Sequence, residues 1–406
     1  AGSFMQLLVT VLIARLLGVE AAGIYFFWTA LMLETGQSAA FGLDKLAVRE
    51  LPRVESKGKA AITAFLAPLR STGLMIAWIG ALGLFVYSEL SGSKVMDGVG
   101  WWLILTASVS GVTLSMINSE AMTGLGKPVM AVIYRHTLPT TILLLSVLVC
   151  WTRLTPEAAV MSYSLAFAVA GFGALIGPGF RGLGVPLKIP TVTEIKGNMK
   201  EGFPIFLNTV FGSASFLVPL LILERTHSSE EISLLTTGMR IFVLFGVLGN
   251  AIYSLQMPGL SRAAHKNDRT ELFRLYRLSM FRALMILGLP CIGVLVMAPL
   301  VMSMFGEGFE RGADGLRVFM VFAMMILMIG PSVQLILMVG KMKEMAFVGI
   351  AHCLVASVAA VFVVPRFGAL GFACVMGACV ILEHLVYLIL SCYDVKRGID
   401  PDAAEE

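Results

Sequence analysis

Runs of about 20 apolar residues, separated by short polar or charged stretches, recur from one end of this chain to the other. They fall at 1–17, 23–43, 69–87, 99–118, 130–151, 157–178, 204–223, 235–255, 283–304, 317–339, 345–364 and 369–392. At a rise of about 1.5 Å per residue, helices of this length cross the roughly 30 Å hydrocarbon core of a bilayer. The short alternating segments that build a transmembrane β-barrel are not seen. The pattern predicts an all-α polytopic membrane protein with about 12 transmembrane helices. The first run is short for a span and the chain begins without Met, so the first helix is expected to be truncated. Pro139, Pro219, Pro290, Pro299 and Pro331 lie inside runs and are expected to kink them.

Composition agrees: 57% of the 406 residues are hydrophobic and 14% are charged, with a mean hydropathy of +0.87. Soluble domains carry about 25% charged residues. A formal net charge of +4 is too small to suggest a nucleic-acid partner. Its distribution is more telling. Of the 30 lysines and arginines, 20 fall in segments on one side of the twelve runs and 6 on the other. The positive-inside rule puts the richer side, and both termini, in the cytoplasm. Arg15, Arg70, Arg135 and Arg240 are left within or at the edge of runs.

The plan repeats. Two apolar runs joined by a short turn and followed by a long basic stretch appear once around Arg15 and Glu50, and again around Arg240 and Arg282. The copies are six runs apart, and an even offset makes the halves parallel repeats. The expected domains are an N-terminal six-helix bundle at 1–180, a cytoplasmic linker at 181–202, a C-terminal bundle at 203–392 and a tail at 393–406. In the second basic stretch, Leu272, Leu275, Tyr276 and Ser279 share one helical face, away from Arg269, Arg274 and Arg277. This reads as a basic helix lying on the cytoplasmic leaflet.

Charge at membrane depth costs about 2.5–3.5 kcal/mol or more, so such residues face a cavity, a partner or the interface. Arg15 and Arg240 lie near corresponding ends of their runs; each could bind an anionic group or snorkel to the outer interface. Glu34 is deeper and could form an ion pair, or bind and release a proton or Na⁺. Asn208 and Asn250 could hydrogen-bond a polar substrate or bridge helices. Arg135 and His136 open the fifth run, and Arg70 opens the third, as interface anchors or as gates. His352, Glu383 and His384 lie mid-run. Glu383 and His384 point about 100° apart on a helix and do not make one ligand pair, although a proton relay is open to this group. The six cysteines lack metal-site spacing, no Walker sequence occurs and no catalytic constellation stands in a loop, so neither an enzyme, a metal site nor a cofactor is expected.

Several segments are familiar in order and spacing. ARLLGVEAAGIY and GLDKLAVREL resemble the first helix pair of the Wzx-like polysaccharide (O-antigen type) flippases, within the multidrug/oligosaccharidyl-lipid/polysaccharide (MOP) exporter superfamily. EGFPIFLNTVFGSASFLVPLLIL resembles that family's seventh helix, and TTGMRIFVLFGVLGNAIYSLQMPGLSR its eighth. FGEGFERGADGLRVF and RFGALGFACVMG resemble the entries to the tenth and twelfth. The resemblance implies a V-shaped, MATE-like fold of two bundles in the inner membrane. It implies a cargo of undecaprenyl-pyrophosphate-linked glycan, moved by alternating access, with membrane lipids, an H⁺ or Na⁺ counter-ion and a polysaccharide polymerase as partners. In the family the first, second, seventh and eighth helices border the cavity, which places Arg15 and Arg240 there; with Asn208, Asn250 and, from the cytoplasmic side, Arg135 they are the candidates for the cargo's head group, and Glu34 is the candidate for ion coupling or an ion pair. A cation-coupled multidrug exporter and a lipid II flippase of the same superfamily are the alternatives.

Overall fold

A computed structural model describes residues 2–93, 95–176, 187–266, 268–338 and 341–397. Among these residues the regular structure is helical throughout. In hydrocarbon each backbone N–H and C=O must be satisfied within the protein, and a helix does this inside one segment. Among the described residues ten helices are long and apolar enough to cross a membrane, making this a multi-pass membrane protein. The first, α1 (Gly2–Ala39), and the last, α15 (Met342–Arg397), are far longer than a crossing requires. Each breaks at a glycine: Gly18 has φ 77° and Gly368 has φ 55°, values that interrupt a right-handed helix and favour a residue without a Cβ. Divided there, the described helices recover the twelve runs seen in the sequence.

The helices between are α2 (Leu43–Glu55), α3 (Lys59–Ser91), α4 (Gly98–Gly124), α5 (Pro128–Val132), α6 (Leu138–Val149), α7 (Pro156–Ile176) and α8 (Val192–Thr226), followed by α9 (Ser229–Ser254), α10 (Met257–His265), α11 (Arg269–Val296), α12 (Ala298–Ser303), α13 (Ala313–Ile329) and α14 (Ser332–Met338). Proline sets several boundaries. Pro139 follows a π-helical turn, Ile133–Thr137, that separates α5 from α6. The ring excludes a normal hydrogen bond to the carbonyl four residues earlier, and a widened turn accommodates it. Pro299 stands in the first turn of α12, and Pro331 follows Gly330 (φ 82°) between α13 and α14. Pro290 stays inside α11.

The chain forms two compact units, Ala1–Ser213 and Ala214–Glu406, dividing within α8. Residues 181–186 of the expected linker lie outside the described residues, and from Val192 onward its residues belong to α8. In the first unit α4 is central and packs on α1, α2, α3 and α7. Close packing with α7 is set by glycine: a Cβ on Gly171 would lie 2.3 Å from the Gly111 carbonyl oxygen. In the second unit α13 is central and packs on α9, α11 and α15. The runs containing α4 and α13 are six apart in the chain, as are those of their neighbours α3 and α11. The repeat seen in the sequence is thus also a repeat of packing within each unit.

The basic stretch at 261–282 is not a free surface helix. It supplies α10 and the start of the transmembrane helix α11. Leu272 and Tyr276 are buried against Leu260, Ala263 and Leu335, with Leu275 packed alongside. The Tyr276 hydroxyl donates to the carbonyl of Ile329. The apolar face expected to enter the leaflet is therefore used inside the fold, while Arg269, Arg274, Arg277 and Arg282 remain exposed.

Candidate functional site

Polar groups within the first unit gather at three levels. At the first, the second half of α1 meets the start of α8. Gly202 of α8 approaches the Phe41–Gly42 turn so closely that a Cβ there would lie 2.2 Å from the Phe41 carbonyl oxygen. Phe41 stacks on Phe206 with ring centroids 4.0 Å apart. Further along the same pair of helices Ser213 Oγ donates to Glu34 Oε2 at 2.6 Å. Glu34 is half-buried, and its carboxylate is held by a hydroxyl rather than by a guanidinium.

At the second level α3, α4 and α7 are tied by a buried polar link. Arg70 is fully buried, which corrects its reading as an interface anchor: its side chain does not reach the surface. Its Nε donates to Asn118 Oδ1 at 2.7 Å, and Asn118 Nδ2 donates to the Gly171 carbonyl at 3.1 Å. The bond to Gly171 uses the same close approach of α4 and α7 described above.

At the third level charges cluster around α2. Glu120 accepts from Lys45 Nζ at 2.6 Å and from Arg135 Nη1 at 3.0 Å. Arg49 pairs with Glu50 at 2.7 Å and with Glu201 at 3.2 Å. Burial pushes the Asp44 carboxyl above the usual carboxylate range, against the opposing charge of Lys45. The first turn of α8 is closed by Thr191 and Glu194. The Thr191 N–H donates to Glu194 Oε2 at 2.8 Å, and the Glu194 N–H donates to Thr191 Oγ1 at 3.3 Å. Lys188 Nζ donates to the same carboxylate group at 2.7 Å, and these bonds hold Glu194 down to about 2.

The sequence-assigned residues are distributed as follows. Arg15 is exposed on α1, one turn before the break at Gly18. Arg135 lies in the π-helical turn, brought together with Glu120 and Lys45. Arg240 is half-buried on α9 in the second unit. Asn250, also on α9, is exposed and accepts from Gln334 Nε2 of α14 at 3.1 Å. The Asn208 side chain lies outside the described residues. Among the described residues no three of His, Cys, Asp and Glu come together as a metal site.

In the second unit the structure assembles a polar cluster that spacing along the chain conceals. His352 and Glu383, on the two halves of α15, stand almost equally far from the break at Gly368. His352 Nδ1 and Glu383 Oε2 are 2.5 Å apart, and the Tyr387 hydroxyl donates to Glu383 Oε1 at 2.6 Å. His384 turns away, as its position on the helix requires, and its Nδ1 lies 2.8 Å from Ser332 Oγ. The break itself is braced by Glu231, whose Oε2 accepts from the Ala369 N–H at 2.8 Å where the helix resumes.

No protein-family model matches this sequence, and none of the curated proteins matches it. The fold is that of transporters of the MOP superfamily. The lipid II flippase MurJ, in an inward closed conformation, aligns with a TM-score of 0.74 over 97% of this chain and 86% of its own, at 13% identity. A multidrug resistance MATE family transporter in an inward-facing conformation aligns with a TM-score of 0.68 over 98% and 95%, at 12% identity. A MOP superfamily transporter from Pyrococcus furiosus Vc1, described as having a binding pocket of reversed polarity that suggests a different function, aligns with a TM-score of 0.62 over 97% and 93%, at 14% identity.

Proposed function

We propose that this protein is a flippase that moves undecaprenyl-pyrophosphate-linked oligosaccharide repeat units across the inner membrane by alternating access, for surface polysaccharide synthesis. The observation that carries the reading is the cationic bias of charge placed inside apolar helices of a transporter fold. Arg15 is exposed on the first half of α1, where no other charge precedes the break at Gly18, and Arg240 is half-buried on α9, where no other charge follows Glu230 and Glu231 of the first turn. Guanidinium groups with forked donors suit a pyrophosphate leaving water, whereas an organic cation needs an acidic and aromatic surround. The order of family-like segments along the sequence and the fold shared with a lipid II flippase support the same reading.

A lipid-linked sugar carries a tail that is stable in hydrocarbon and a head that is not. In this proposal the tail stays in lipid while Arg15, Arg240, Asn208 and Asn250 receive the head group. Arg135, tied to Glu120 and Lys45, acts at the cytoplasmic entrance. The bundles are 1–180 and 203–392, both termini are cytoplasmic, and a polymerase takes up the delivered units. No group on the chain is assigned to hydrolyse or transfer a bond.

The test is deletion of the gene, followed by assay of lipid-linked oligosaccharides in each leaflet and of surface glycan. Completed repeat units held on the cytoplasmic leaflet, with loss of surface glycan, are expected. Complementation with R15Q or R240Q should restore protein level but not export. Normal surface glycan with altered sensitivity to organic cations would instead establish the multidrug exporter. Loss of peptidoglycan precursor export would establish the lipid II flippase.

A further inference from the structure

The cluster at the centre of α15 has a chemistry that cargo recognition does not use. Both oxygens of Glu383 are engaged by donors, Tyr387 on one side and His352 on the other. A metal cation at the carboxylate would have to displace one of these donors. The valence left open is on the imidazole. With Nδ1 turned to Glu383, Nε2 carries the remaining lone pair; it is buried and has no hydrogen-bond partner among the described residues. The His352 side chain is 9% exposed and that of Glu383 is 23% exposed, so the pair is sheltered and the carboxylate is its more open member.

We propose that His352, Glu383 and Tyr387 form a proton-binding site in the second unit, through which transport is coupled to a proton gradient. This rests on the reading of the protein as a transporter, but not on the identity of its cargo. With one proton shared by the pair, imidazole is neutral, Glu383 is ionised and the site carries one negative charge. A second proton, taken from water onto Nε2, gives an imidazolium–carboxylate pair with no net charge. In a low-dielectric surround this neutralisation favours loading. Loading also converts Nε2 from an acceptor into a donor for which no described group offers an oxygen. A buried donor without an acceptor is unfavourable, so the loaded site favours a rearrangement that gives Nε2–H a partner. The two halves of α15 that carry the pair meet at Gly368, whose backbone is already non-helical. Ala356, Val375 and Cys379 pack between the site and that break.

The titratable surroundings are few. On α15 itself they are Tyr387, His384 and Cys379. From α14, Ser332 reaches the group through His384. α13 carries its charges, Asp314 and Arg317, in its first turns, paired at 2.7 Å. α9 carries Glu230 and Glu231 at its start, with Glu231 engaged at Ala369, and Arg240 further along. Lys341 and Glu344, beside the start of α15, are paired with each other at 2.9 Å.

The experiment is a ¹⁵N-histidine NMR titration from pH 5 to 9 of the full chain in phosphatidylethanolamine/phosphatidylglycerol nanodiscs, with H352Q used to assign the signal. The expected result is a His352 ring that titrates inside this range. E383Q, which removes the negative partner, should lower the midpoint by about one pH unit or more, a tenfold loss of proton affinity. Y387F, which removes a donor to the carboxylate and changes little else, should raise it, and stands as the test if E383Q fails to fold. A His352 signal that does not titrate between pH 5 and 9, or a midpoint unmoved by Y387F and by any folded E383Q, overturns the proposal. The titration needs no cargo, so a drug-exporter outcome of the deletion experiment would leave it standing.

Discussion

Asn118 holds three helices with one amide. It accepts from the buried Arg70 on α3 and donates to the Gly171 carbonyl on α7, while its own backbone belongs to α4. N118L keeps the branched shape of the side chain but removes acceptor and donor together. Arg70 Nε and the Gly171 carbonyl then lose their bonds in a buried site, and a loss of about 1–3 kcal/mol is expected. A thermal unfolding midpoint several degrees lower in detergent would show it; an unchanged midpoint would mean the link is spectator packing. At the start of α8 the Thr191–Glu194 pair gives a pH-dependent counterpart. Its carboxyl, held low chiefly by the bond from Lys188 and then by the Thr191 N–H, is ionised at neutral pH. The stabilisation is therefore present above the ordinary carboxylate value of about 4.5 and fades as pH falls towards about 2. T191V should speed amide exchange of residues 192–195 about five-fold at pH 7, the effect of losing a typical cap. Exchange at the wild-type rate would contradict this.

At the scale of elements, the apolar runs made every long helix legible, because a membrane demands both length and internal hydrogen bonding from each crossing. The breaks were legible too: Gly18 and Gly368 lie in the short gaps between neighbouring runs. Two elements were not. The stretch 181–202 reads as a linker, and the helix that begins inside it was missed: Thr191-Val192-Thr193-Glu194 is a capping box that starts α8. The amphipathic face at 272–279 was visible, but periodicity shows only that a face is apolar. Whether lipid or α10 and α14 cover it is decided by tertiary packing. The α4–α7 contact tests how far packing depends on single residues. In G171A the new Cβ would meet the Gly111 carbonyl at 2.3 Å, forcing the helices apart. A destabilisation of about 1–3 kcal/mol is expected, as in other overpacked interiors. G173A, two residues away, meets nothing within 4 Å and should be neutral. Equal unfolding midpoints for the two variants would show that the glycine contact does not limit helix approach.

For the whole molecule, the candidate chemistry was legible only in part. Single charges such as Glu34 stand out because an apolar run surrounds them, but their partners come from far along the chain. Ser213 is one such partner, and His352 meets Glu383 only because α15 doubles back around Gly368. What the sequence carries over the full length is orientation. Many basic residues on the richer side are paired with acids, as Lys45 is with Glu120, Arg49 with Glu50 and Glu201, and Lys188 with Glu194. Pairing does not cancel their topological weight, because insertion responds to Lys and Arg in short flanking loops rather than to net charge. The bias of 20 to 6 therefore predicts that the loop after α2 and the C-terminal tail share the cytoplasm. Green fluorescent protein fused after Glu406 should fluoresce. In a variant without native cysteines, S56C should resist a membrane-impermeant maleimide in intact cells while T155C, between α6 and α7, reacts. Labelling of S56C with protection of T155C would invert the molecule. It would also place the Lys45–Glu120–Arg135 cluster on the side where the cargo leaves rather than where it enters.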